Sequence, residues 1–121
     1  MEDLHIGKGF LKPLDADEYV GITICEKDGC VERAAYTAGG GETVARCAET
    51  VCSVITGHGI VELFQMNNKA VYYNIEPELT LHELYKATIA VTAAKRAAAD
   101  WCRKNGVAIP EQPDGCGCIT E

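Results

Sequence analysis

Thr37-Ala38-Gly39-Gly40-Gly41-Glu42-Thr43 marks a sharp passage from one kind of periodicity to another. Three consecutive glycines accept backbone angles that other residues reach only with strain, so a strand can turn into a helix within a few residues. Before this run the apolar residues recur at every second position. Val20, Ile22 and Ile24 alternate with Tyr19, Gly21 and Thr23, which predicts a strand over Tyr19–Cys25. His5–Leu11 and Cys30–Tyr36 read as two further strands, and Glu26-Lys27-Asp28-Gly29 supplies a turn whose glycine can take a positive φ. An antiparallel three-stranded sheet follows.

After the glycines the spacing becomes helical. From Thr43, which reads as an N-cap, Val44, Ala48, Val51, Val54 and Ile55 repeat at helical intervals until Gly57 stops the run. Glu62–Lys69 is ambiguous between helix and loop. Leu79–Lys104 reads as a long helix, because Leu84, Ala87, Val91, Ala94, Ala98 and Trp101 keep one stripe and Asn105-Gly106 is a C-cap signal. Its alanines let it lie close against a sheet. The fold class expected is therefore α+β: a small antiparallel three-stranded sheet with helices packed on one face. One domain covers residues 1–109. Residues 110–121, with Pro110, Pro113 and Asp114-Gly115-Cys116-Gly117-Cys118, form a flexible cysteine-bearing tail with too little apolar surface to fold alone.

A chain of 121 residues suits one domain and one core. The hydrophobic share, 47%, is ordinary, and no apolar run approaches the roughly 18 residues that a membrane span requires. Met1-Glu2-Asp3 is acidic and leads into no signal-peptide core, so a cytoplasmic protein is expected. The net charge is −7 and the basic residues are scattered singly, which argues against nucleic acid as a partner. Seven cysteines, an odd number, point to thiols, metal ligands or redox groups in a reducing compartment rather than to a disulfide framework.

In element order and short motifs the chain resembles the NifU/IscU N-terminal family of iron–sulfur cluster assembly scaffolds. Ile6-Gly7-Lys8-Gly9-Phe10-Leu11 looks like the family's Val-Gly-x-Gly strand. The glycine run stands where the family has a Gly-Cys-Gly turn opening a helix, so the family's ligand cysteine falls on Gly40 or Gly41. Val54-Ile55-Thr56-Gly57-His58-Gly59-Ile60-Val61-Glu62-Leu63 stands where the family has Trp-Val-Lys-Gly-Lys and an acidic segment, and Ala93–Trp101 where it has an Ala-Asp-aromatic helix. The family's first cysteine and its aspartate fall on Ala16 and Glu18, or on Asp15 and Asp17 if counted back from the hairpin. Strand parity favours the first register. The chaperone-recognition segment and the His-Cys ligand pair fall on Leu79-Thr80-Leu81-His82-Glu83 and Tyr85-Lys86. All three ligand cysteines and the chaperone motif are missing, so the resemblance implies the fold without the family's ligation.

Of the groups able to carry chemistry, Cys116 and Cys118 are the sharpest. Two thiols separated by one glycine can chelate a metal, contribute two ligands to a cluster, accept sulfur or close a readily reduced disulfide. A tetrahedral site or a cluster needs about four ligands, so another chain, a core thiol or an exogenous ligand must complete the set. The plain alternative is a tail with two incidental thiols. Cys25 and Cys30 flank the hairpin and stand opposite each other if the register permits. Cys47 and Cys52 lie about 140° apart around one helix and, with Cys102, read as small core residues. Asp15, Asp17 and Glu18 offer oxygens and Lys86 a cation, a set that suits Fe(II), Mg or an anion, or simply pairs internally as a salt bridge. His5, His58 and His82 lack partners at ligand spacing. The N–H groups of Gly39–Gly41 can hold an anion, although a tight turn explains them more economically. No P-loop and no Ser-His-Asp order is present, so a hydrolase is not expected.

The expected function is a diverged assembly protein, serving as a scaffold, carrier or accessory outside the family's usual ligation, with Cys116 and Cys118 handling iron, zinc, a cluster or sulfur. Its partners would be proteins of the assembly machinery. A non-metal adaptor that reuses the scaffold surface is the alternative. A thiol oxidoreductase comes third, because no cation near Cys116 and Cys118 in the tail lowers a thiol pKa. Enzymatic activity is not the leading expectation.

Overall fold

The computed structural model describes residues 4–14, 16–76 and 78–109; Asp15, Cys116 and Cys118 lie outside them. Strands β1 (Ile6–Leu11), β2 (Tyr19–Lys27) and β3 (Cys30–Gly39) form an antiparallel sheet in the order β1-β2-β3. Helices α1 (Glu42–Ile55), α2 (Lys69–Tyr72) and α3 (Leu84–Asn105) follow, with 3-10 turns at Ile60–Gln65 and Leu81–Glu83. This is the α+β architecture that the two periodicities predict.

Val20, Ile22 and Ile24 of β2 are buried on one face of the sheet, and α1 and α3 cover them. The stripe on α3 is wider than six positions: Ile89, Ala90, Ala93, Ala97 and Cys102 are buried as well. Alanines alone do not explain how close this helix lies. A Cβ on Gly7 would fall 2.4 Å from the carbonyl oxygen of Ala97, and one on Gly9 would fall 2.2 Å from that of Ala93. Small residues on both surfaces bring helix backbone onto strand backbone. Gly106, at φ 67°, ends α3 in the left-handed region, as the Asn-Gly signal predicts.

Three details differ from expectation. The N-cap of α1 is Gly41 and not Thr43, because the turn through Gly40 (φ 99°) and Gly41 (φ 137°) delivers the chain into the helix two residues earlier. The long helix begins at Leu84 rather than Leu79, since Thr80 and Glu83 close a capping box around a 3-10 turn first. Cys25 and Cys30 do not face each other. Asp28 (φ 56°) and Gly29 (φ 82°) make a two-residue turn that pairs Cys30 with Lys27, and an irregularity between Cys25 and Glu26 leaves Cys25 opposite Arg33. Cys47, Cys52 and Cys102 are buried free thiols, as their helical positions suggest. Among the described residues no helix is long and apolar enough to cross a membrane.

Candidate functional site

Where β3 leaves the sheet, three distant segments meet at one corner. The turn lies so close to the entry of β2 that a Cβ on Gly40 would sit 2.5 Å from the Cα of Glu18. Glycine is required there by close approach as well as by φ. The first turn of α3 brings Tyr85 and Lys86 to the same place. Tyr85 Oη donates to Glu18 Oε2 at 2.6 Å, Lys86 Nζ stands 4.0 Å from the same oxygen, and the ammonium lies 5.9 Å from the centre of the Tyr85 ring.

A second pair ties α1 to the approach of α3. Thr43 Oγ1 donates to Glu83 Oε2 at 3.2 Å, while Glu83 Oε1 accepts the Thr80 N–H at 2.9 Å. Thr43, displaced from its expected capping role, thus clamps the corner from inside the helix. Cys47 is fully buried, and burial pushes its thiol up to about 11 despite the nearby charges of Arg46 and Lys86. It is a neutral packing group and a poor ligand or nucleophile.

The described groups at the corner pair with one another. The Tyr85 hydroxyl first, then a backbone hydrogen bond at Glu18 and last the Lys86 ammonium, hold the Glu18 carboxyl below the usual carboxylate range against its burial. The same hydrogen bond pushes the Tyr85 phenol above its ordinary value. One carboxylate oxygen therefore serves a phenol and an ammonium, and Glu83 is bound to Thr80 and Thr43. Among the described residues no group of three or more His, Cys, Asp or Glu is placed to hold a metal ion.

Of the residues singled out from sequence, Glu18, Gly40, Tyr85 and Lys86 are brought together, while Asp17 is exposed and makes no part of the corner bonds given above. The internal salt bridge, the plainer reading of Lys86, is what forms. Parity had selected Glu18 over Asp17, and the reason is physical: burying Val20, Ile22 and Ile24 fixes which side chains flank the sheet. His5 and His58 pair with Glu26 and Glu62 at 2.7 and 3.2 Å, and among the described residues neither pair belongs to a group of three or more His, Cys, Asp or Glu placed to hold a metal. Sequence reasoning missed the Thr43–Glu83 and Tyr85–Glu18 bonds. His-x-x-x-Glu spacing was the available signal for His58 and Glu62; no local signal exists for Tyr85 and Glu18, 67 residues apart. No protein-family model matches the chain, and no protein with a curated description matches it.

Proposed function

We propose that the chain is a diverged assembly protein of the NifU/IscU type, a carrier or accessory whose old ligand corner is closed and whose cargo is handled by Cys116 and Cys118. The observation that carries this reading is the convergence of Glu18, Gly40, Tyr85 and Lys86, the positions aligned with the family's ligands, at one corner. Thiolates normally hold such clusters, and among the described residues this corner offers none, while the carboxylates of Glu18 and Glu83 are already engaged. The Cys-Gly-Cys run supplies two thiolates, so a second chain or an exogenous ligand would complete the cargo's coordination. A specific observation favours the adaptor as second reading: Leu81 and Tyr85 beside the corner are 80% and 49% exposed, an apolar surface suited to a protein partner.

Anaerobic purification with iron, zinc and labile-sulfide analysis, on the intact chain and on one ending at Pro113, tests the proposal. Iron, zinc or sulfur is expected in the intact chain and absent from the shortened one. The double variant C116S/C118S should behave like the shortened chain while keeping its stability within about 0.5 kcal/mol. Equal loading in parent and variant overturns the role of the tail, and no loading in either leaves the adaptor.

A further inference from the structure

The sheet has two edges, and among the described residues one is covered along its length and the other is not. Along β1, the outward backbone groups are met by side chains of α3. Asn105 Nδ2 donates to the Leu4 carbonyl (2.7 Å), Lys104 Nζ to that of Ile6 (3.0 Å) and Arg96 Nη1 to that of Phe10 (2.8 Å), while the Lys8 N–H donates to Asp100 Oδ2 (2.9 Å). Along β3, among the described residues, the first outward rung alone is met: the Val31 N–H donates to the His58 carbonyl and the Gly57 N–H to the Val31 carbonyl.

Beyond Val31 the ladder's alternation decides what is left over. The Glu26 N–H bonds to His5, so the even-numbered residues of β2 serve β1 and Tyr19, Gly21, Thr23 and Cys25 serve β3. Their partners are Gly39, Thr37, Ala35 and Arg33. Ala34, Tyr36 and Ala38 therefore aim their N–H and C=O groups away from the sheet, where no other described strand pairs with them. The run Ala34–Gly39 carries no charge and no proline, the devices that normally blunt an exposed edge.

A wall rises beside this edge. Helix α1 lies over β3 with α3 on one flank, marked by the Thr43–Glu83 bond. At 100° per residue, Ala45, Glu49 and Cys52 fall on the other flank, above the open edge, and Glu42 lies next to them. Ala45 is half-buried, Cys52 nearly buried, and Glu42 and Glu49 are exposed. Burial and then the Glu49 carboxylate push the Cys52 thiol up to about 11.

We propose that the outer edge of β3 is a docking site for an extended basic segment of a partner protein, added as a fourth strand. The unpaired groups of Ala34, Tyr36 and Ala38 supply the hydrogen bonds. Every second side chain of the added strand points under α1, where a Lys or Arg lays its stem on Tyr36 and Cys52 and sets its charge against Glu42 or Glu49. The intervening side chains lie on the open face beside Arg33, so small or polar residues belong there. A second copy of this chain fits badly. Pairing β3 with β3 sets the strands about 4.8 Å apart and presses two α1 helices, which need 8–10 Å, against each other with their glutamates facing.

The test is titration of the isotopically labelled chain with a peptide of about nine residues alternating Lys with Thr, followed by NMR and amide exchange. Slowed exchange is expected at Ala34, Tyr36 and Ala38, with shifts confined to β3 and the Ala45–Cys52 flank. The double variant E42Q/E49Q should weaken binding about tenfold. A peptide N-methylated on its edge-facing amides, and one alternating Glu with Thr, should not bind. Unchanged exchange at the three amides, equal binding of the acidic or N-methylated peptide, or dimerisation of the free chain through β3 would each overturn the proposal.

Discussion

The β1 and β3 edges belong to one sheet, yet one is sealed by a neighbouring helix and the other, beyond Val31, is met by no described residue. The cause is a match of repeats. Outward groups on β1 recur every two residues, about 6.8 Å, and Arg96, Asp100 and Lys104 recur every four residues along α3, about 6 Å. Running antiparallel, the helix meets Phe10, Lys8 and Ile6 in turn. The match works only because Gly7 and Gly9 let α3 lie against β1. Over β3 helical spacing puts Ala45, Glu49 and Cys52 on the corresponding flank of α1, and a methyl group, an exposed carboxylate and a short thiol do not supply the matched donors and acceptors that α3 gives β1. Edge protection here is a property of a strand and helix together.

The largest expected effect breaks the sealed edge at its base. In Gly9→Ala the new Cβ would meet the Ala93 carbonyl oxygen at 2.2 Å and the Ala97 nitrogen at 2.3 Å, both backbone atoms that cannot turn aside. Denaturant unfolding should show a loss of about 3 kcal/mol, with faster amide exchange at Lys8 as α3 retreats. A loss under about 1 kcal/mol would mean that the helix lies further away than described.

Asp100→Ala should cost about 1 kcal/mol, because it removes a charge-assisted hydrogen bond from the Lys8 N–H and a carboxylate from Lys104 and Arg103. Its pH dependence sharpens the point. Burial opposes ionisation of Asp100 most strongly, yet the Lys8 N–H, Lys104 and Arg103 together hold its carboxyl below the usual 3.8. A depressed folded pKa contributes stability above the unfolded value, lost as pH falls through the folded one. The stability difference between parent and Asp100→Asn should therefore shrink below about pH 4. A difference that persists at pH 2 would assign the effect to packing instead of charge.

At the bare edge the smallest effect is expected. Ala35 is exposed and its side chain points to the open face, so Ala35→Lys should change stability by no more than about 0.5 kcal/mol in unfolding experiments. A larger loss would show that β3 has a partner in the free protein and would erase the contrast between the edges.

Much of this frame is legible in the chain. Alternation in Val20, Ile22 and Ile24 locates the sheet's buried face, and the stripe from Ala87 to Trp101 locates that of α3. Boundaries were less legible: Thr43 reads as a cap, but three glycines before it absorb the turn, and Cys25 and Cys30 look paired until a two-residue turn shifts their register. At the corner, the resemblance pointed to Glu18, Gly40, Tyr85 and Lys86, but the bond from Tyr85 to Glu18 could not be read, since it spans 67 residues and depends on where α3 docks.

Sequence by itself determined the three strands, the two main helices and the apolar side of each, because periodicity and turn chemistry act within a few residues; the short helix Lys69–Tyr72 and the 3-10 turns were not legible in it. Tertiary structure alone decided that Tyr85 and Lys86 dock on Glu18, and which sheet edge is sealed. Those outcomes depend on helices resting on glycine and alanine surfaces, where a shift of one methyl group changes which polar atoms can meet.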